Sequence, residues 1–178
     1  YSGKGEDMAT ERKALLILHG KQAQNEEVRA AVLALRERGW HLAVRLTWEG
    51  GDAARLVQEA LAAGYPTLIA GGGDGTLREV AEALALAGGQ ASLALLPLGT
   101  ANDFCRAAGI PLLPAEALAL LECEPRPIDL GEVDGQLFLN MATGGFGSRV
   151  TASTSEELKK LLGGAAYFLT GLSRFAEV

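Results

Sequence analysis

Along the first hundred residues, short apolar runs alternate with stretches whose apolar positions recur at helical spacing. Ala14 to Leu18 is an unbroken apolar run of strand length. Glu26 to Arg38 follows, with Val28, Ala31, Val32 and Leu35 on one helical face and Gly39 closing it. His41 to Thr47 alternates through Leu42, Val44 and Leu46 and reads as a second strand. Asp52 is placed to cap the next helix, whose apolar face is Ala53, Leu56, Val57, Ala60 and Leu61. That helix ends near Gly64, and Pro66 stops it from running into a third strand, Thr67 to Ala70. A helix over Thr76 to Ala87, ending at Gly88-Gly89, leads to a fourth strand, Leu93 to Leu96. This alternation predicts an α/β fold: a mostly parallel sheet with helices on both faces.

Past Pro111 the pattern changes. Pro114 to Glu122 reads as a short apolar helix. Two strand-like stretches, Ile128 to Val133 and Gln136 to Met141, flank Asp134-Gly135, the dipeptide favoured in two-residue hairpins. Antiparallel pairing, and with it a second unit, is expected to begin here. Thr154 and Glu157 have capping-box spacing for a helix through Leu162. Gly163-Gly164 breaks it, and another helical stretch runs to Val178. Phe168, Leu169, Leu172 and Phe175 form an apolar stripe there, to be covered by a following domain or, alternatively, by a second copy in a homodimer. At the other end, Tyr1 to Asp7 is polar and aperiodic and reads as a remnant outside the fold, with Met8 as the native start. The expected division is 8–140 for a nucleotide-binding domain and 141–178 for a connecting segment with helices.

The junctions between strands and helices carry the candidate chemistry. The third strand stops at Gly71-Gly72-Gly73-Asp74-Gly75-Thr76 and a helix follows. Glycines let backbone N–H groups turn toward an anion, and a helix N-terminus adds the positive end of its dipole. Four glycines exceed what a plain β-to-α turn needs. Asp74 beside phosphates implies a cation between them, and Mg²⁺ suits that position. The spacing is neither Gly-x-Gly-x-x-Gly nor a Walker loop, which would end in Gly-Lys-Ser/Thr. The fourth strand ends in a similar way at Pro97-Leu98-Gly99-Thr100-Ala101-Asn102-Asp103-Phe104. In open α/β sheets such loops line the ligand crevice at the carboxyl ends of strands. Together they point to a metal–nucleotide site and phosphoryl transfer.

Composition narrows the classes. The chain has 178 residues, 48% hydrophobic and 21% charged, which is ordinary for a globular domain. A net charge of −6 argues against nucleic acid and against electrostatic docking on anionic lipid. Cys105 and Cys123 have no Cys-x-x-Cys partner, so zinc has no support, and both fit a reducing cytoplasm as buried small hydrophobes. No Gly-x-Ser-x-Gly elbow is present for a hydrolase. No signal peptide or apolar span of roughly 20 residues is seen.

Gly-Gly-Gly-Asp-Gly-Thr followed by Leu-Pro-Leu-Gly-Thr-Ala-Asn-Asp-Phe resembles the diacylglycerol kinase catalytic domain family, in particular its bacterial YegS-type lipid kinases. The similarity runs from about Lys13 to the end and includes Arg45-Leu46-Thr47-Trp48-Glu49 and Asn140-Met141-Ala142-Thr143-Gly144-Gly145-Phe146-Gly147. The first loop is shared in kind with NAD kinases and phosphofructokinases; the pair of loops is more specific. The resemblance implies a Rossmann-like, phosphofructokinase-like sheet, followed by a mainly antiparallel β domain largely missing from these residues. It implies ATP and Mg²⁺, a lipid hydroxyl as acceptor, transient membrane contact and a cytoplasmic location. Glycerolipids such as diacylglycerol or phosphatidylglycerol are the expected acceptors. An NAD or sugar-phosphate kinase, or a nucleotide sensor without catalysis, are the alternatives.

By the same resemblance, Thr47, Gly73, Asp74, Gly75, Thr76, Leu77, Arg78 and Glu79 contact the nucleotide, with Leu77 and Arg78 contributing backbone more than side chain; Thr100 and Asn102 are added as nucleotide-binding candidates for their polar groups beside Gly99. The base carboxylate is expected in the later domain, so these residues alone should not turn over. Asp74 is a supporting catalytic candidate and, with Asp103, a candidate partner of Mg²⁺. Structural roles compete at each position. Thr76 and Glu79 have capping-box spacing. Thr100, Asn102 and Asp103 can cap the helix that follows. Thr47 is also an ordinary strand residue. Asp129 faces either the site or solvent. His19 and His41, lone histidines at strand ends, are expected to be structural. Gly144 to Gly147 reads as an interdomain turn.

Overall fold

The computed structural model describes residues 12–128, 130–133 and 136–138. Asp129, the Asp134-Gly135 turn, Gly144 to Gly147, the Thr154–Glu157 spacing and the stripe from Phe168 to Phe175 lie outside the described residues, as does Tyr1 to Asp7.

Four strands form a parallel sheet: β1 (Lys13–His19), β2 (His41–Thr47), β3 (Thr67–Gly72) and β4 (Ser92–Pro97). Their order across the sheet is β2-β1-β3-β4. Three long helices alternate with them: α1 (Glu26–Glu37), α2 (Asp52–Ala62) and α3 (Asp74–Leu86). Two short ones follow, α4 (Asp103–Ala107) and α5 (Pro114–Ala119). Two short strands, β5 (Gly131–Val133) and β6 (Gln136–Phe138), pair antiparallel in a separate sheet.

Both faces of the parallel sheet are covered, which is why β1 and β3 read as unbroken apolar runs rather than alternating ones. Leu15, Ile17, Leu68, Ala70 and Leu95 face one way, into the core built by α2, α3 and α4. Ala14, Leu16, Leu18, Ile69 and Leu96 face the other way, toward α1 and α5. β2 is an edge strand, and guanidinium groups cover two of its carbonyls. Arg36 donates through Nε and Nη2 to Leu42 O at 2.9 and 2.7 Å, and Arg45 donates to Val44 O at 3.0 Å. Charged side chains on an edge discourage pairing with another chain.

The helix starts differ from the sequence expectation in two places. Asp52 does not cap α2. Gly51, at φ +92°, occupies the cap position without a side-chain bond. The Asp52 carboxylate turns back instead and accepts from Trp48 N at 2.7 Å and Glu49 N at 3.0 Å. The Thr76–Glu79 capping box does not form either. α3 begins two residues earlier than its apolar pattern suggests, with Gly73 at the cap position and Thr76 inside the first turn. The glycines carry no apolar signal, so the periodicity alone starts too late.

Candidate functional site

The chain runs from β1 out to β2 on one side, then returns past β1 to place β3 on the other. The carboxyl ends of β1 and β3 therefore form the switch point of the sheet, where open α/β folds leave a crevice. Three loops meet there: residues 20–25 after β1, 72–75 after β3 and 97–103 after β4.

The β3 and β4 loops touch backbone to backbone. Leu98 N donates to Gly72 O at 2.8 Å. A Cβ on Gly99 would lie 2.5 Å from Gly73 Cα, and one on Gly73 would lie 3.3 Å from Gly99 Cα. Only glycine at both positions allows this approach without displacement. The floor beneath, between Ala70, Leu77, Leu95 and Cys105, has room for no more than about one water molecule. The space beneath the loops is thus too small for a nucleotide, and what the crevice offers is the loop backbone itself.

The backbone there presents donors. The first N–H groups of a helix have no intrahelical acceptor, and the cap residue of α3, Gly73, offers no side chain to take them. The start of a 13-residue helix is thus open to an anion. Gly75 is exposed, and a Cβ there would meet nothing within 4 Å.

Asp74 resolves the electrostatic conflict seen in the sequence. Its two carboxylate oxygens accept from Asp103 N at 3.2 Å and Phe104 N at 3.4 Å. The charge is thereby turned to the first backbone N–H groups of α4, and the bond ties the β3 loop to the β4 loop. Its proximity, after burial itself, pushes the Cys105 thiol up to about 11. Asn102 completes the β4 loop. It is buried in the left-handed region at φ +51°, accepts from Gly99 N at 2.9 Å and donates to Gly99 O at 2.8 Å. This closed pair of bonds holds Gly99 against Gly73 and accounts for the strained backbone. Asn102 occupies the cap position of α4, but its side chain does not cap it.

The remaining expected residues separate into rim and interior. Thr100 is exposed on the β4 loop, ahead of a helix that begins only at Asp103, so it is no cap. Thr47 is half-buried at the end of β2, beside the Gly20 backbone, where any Cβ would collide with Thr47 O. It stands two strand spacings from β3, about 10 Å. Leu77 is a core residue whose N–H donates to Gly73 O at 3.1 Å. Arg78 is half-buried with Glu82 4.0 Å away, and Glu79 is exposed, both a turn further along α3. Among the described residues, no three acidic, histidine or cysteine side chains converge as a metal cage. The histidines are used locally. His19 Nδ1 accepts from Lys21 N, and His41 stacks on Tyr65 at the amino end of the sheet.

The loop after β1 went unrecognised in the sequence. Gly20, Gln22 and Asn25 carry no repeated glycine signal, and their relevance depends on strand order. Gly20, directly after the last residue of β1, is the one available hint.

The family model described as the diacylglycerol kinase catalytic domain matches residues 13–133, which hold all of these loops. The chain belongs to this family. It is 78% identical over 166 residues to a Pseudomonas aeruginosa protein named "Probable lipid kinase YegS-like", covering 93% of this chain and 55% of that protein. A protein of the same name from Pseudomonas putida is 73% identical over 167 residues, covering 94% of this chain and 57% of its own length. The chain thus spans about half the length of the curated relatives it matches. Among solved structures, a diacylglycerol kinase from Bacillus anthracis is 34% identical with a TM-score of 0.64, over 72% of this chain and 48% of that one. No helix among the described residues is long and apolar enough to cross a membrane.

Proposed function

We propose that this chain is the nucleotide-binding half of an ATP-dependent lipid kinase, which moves the γ-phosphoryl group of ATP to a lipid hydroxyl. The observation that carries the reading is the Gly73–Gly99 contact beside the uncapped start of α3, in a chain of the diacylglycerol kinase catalytic family. Phosphoryl transfer needs positioning and charge neutralisation more than covalent help from the protein. The phosphates rest on the N–H groups of Gly75 and Thr76, with Thr100 at the rim and Thr47 under another part of the nucleotide. Gly73, Asn102 and Asp74 hold the loops in place, and Arg78 and Glu79 flank them on α3.

The residues present fit Mg²⁺ in a limited way. Asp74 is half-exposed, and each of its oxygens retains a second lone pair beyond the backbone bond it accepts. With Asp103 adjacent, it can share a cation that the phosphates mainly hold, the usual habit of Mg²⁺. Bound there, Mg²⁺ supplies charge neutralisation. The acceptor-side base lies outside these residues, so the chain alone binds nucleotide without turnover. Glycerolipids are the acceptor class, with transient membrane contact and a cytoplasmic location.

The test is transfer from γ-labelled ATP by the whole protein that carries this chain, against diacylglycerol, phosphatidylglycerol, sphingosine and NAD. Label in a glycerolipid is expected. Label in NAD alone moves the protein to the neighbouring kinases, and ATP binding without transfer to anything makes it a sensor.

A further inference from the structure

The half-buried Gln22, in the turn after β1, reaches across the sheet to the β4 loop. Its Nε2 donates to Leu98 O at 3.3 Å, and its Oε1 accepts from Asn25 Nδ2 at 2.9 Å. Asn25 Oδ1 in turn accepts from Glu27 N at 3.1 Å and Val28 N at 3.2 Å, capping α1. These bonds set the direction of the whole chain. The two backbone donors fix Asn25 Oδ1, so its amide nitrogen must face Gln22. Gln22 must then meet it with oxygen, which leaves its own nitrogen for Leu98. Both backbone groups of Leu98 are held, its carbonyl by Gln22 and its N–H by Gly72 O. The next residue is Gly99, the glycine packed on Gly73.

We infer that Gln22 is a positioning residue for the nucleotide, holding the β4 loop in register with the β3 loop from the α1 cap. This rests on the ATP reading above. A Gln22→Glu substitution isolates the contact. It keeps the shape and still accepts from Asn25, but it turns a carboxylate oxygen toward the Leu98 carbonyl, where a donor is needed. Gln22→Leu removes both bonds.

Mg-ATP affinity would be measured by calorimetry on the whole protein, with kcat at saturating ATP and thermal midpoints alongside. Both variants should weaken Mg-ATP about three- to tenfold, the usual range for one such bond, while kcat changes less than about twofold. In the nucleotide-free protein, the Gly99 and Gly73 amide resonances should shift in Gln22→Glu. A folded Gln22→Glu protein with unchanged Mg-ATP affinity and unmoved Gly99 and Gly73 resonances overturns the inference alone. A lowered thermal midpoint with unchanged affinity also overturns it, because the bridge is then structural only. Wild-type protein that fails to bind Mg-ATP sinks the functional reading and this inference together.

Discussion

Replacing Gly99 by alanine tests the loop contact at its tightest point. The new Cβ would sit 2.5 Å from Gly73 Cα, 3.0 Å from Asn102 Oδ1 and 3.4 Å from Gly73 N. Carbon atoms pack at about 3.5–4.0 Å, so the loops must part by about 1 Å. No flexible side chain can absorb this, because the nearest neighbour is backbone and Asn102 is itself buried and doubly bonded to Gly99. Overpacking of this kind costs about 1–3 kcal/mol of stability. A displacement of about 1 Å in a positioned site costs on the order of a hundredfold in rate, or about 2.7 kcal/mol of barrier. The assay is kcat/KM for ATP in the whole protein, with a thermal melt beside it. Gly75→Ala is the matched contrast. Its Cβ enters open space on a helical residue, so the fold should hold or gain about 0.5–1 kcal/mol. ATP should still weaken, because the methyl group stands where phosphate approaches. Gly99→Ala protein with kcat/KM within twofold of wild type and an unchanged melt would refute the reasoning.

Asp74→Ala strips both acceptors from the start of α4 and should cost about 1–2 kcal/mol of stability, the range for a lost helix cap, together with more than tenfold in kcat/KM; chemical denaturation and ATP kinetics read the two. Asp52 is held down to about 2 by the Trp48 and Glu49 N–H groups and then Arg55. Its folded value lies below its ordinary one, so its contribution is fully present above about pH 4 and is lost as pH falls through about 2. In a Trp40→Phe background, emission from the fully exposed Trp48 should change near pH 2, and Asp52→Asn should remove that change. Cys105 is buried and its thiol pushed up to about 11, whereas Cys123 is exposed. Iodoacetamide at pH 8 should therefore label Cys123 and spare Cys105 until the protein unfolds, as mass spectrometry would show.

The architecture was legible in the sequence because a sheet buried on both faces writes itself as apolar runs. β2 was expected at the bounds it has, and β1, β3 and β4 each extend one or two residues beyond their apolar cores. Glycine and proline at those ends hid the extension, in Gly71-Gly72 of β3 and Pro97 of β4. The two loops were legible as glycine-rich junctions. What they do to each other was not. The Gly73–Gly99 contact joins the loops that follow two different strands, and the Asp74 bond to Asp103 and Phe104 spans some thirty positions. A local pattern cannot encode either. Capping residues misled for the same reason. Asp52 and Thr76 have the right chemistry at a plausible spacing, but glycines take both cap positions because the backbone there must turn closely. Gln22 gave no signal, since its meaning comes only from the strand order that lays the first loop beside the fourth.

The central claim is that nucleotide phosphates lie on the first N–H groups of α3, between the two glycine loops. A crystal structure of the whole protein with Mg²⁺ and a non-hydrolysable ATP analogue tests it most directly. The account predicts phosphate oxygens at about 2.7–3.2 Å from Gly75 N and Thr76 N, with the Gly73–Gly99 contact intact. A triphosphate seated elsewhere, with those N–H groups facing solvent, would contradict it.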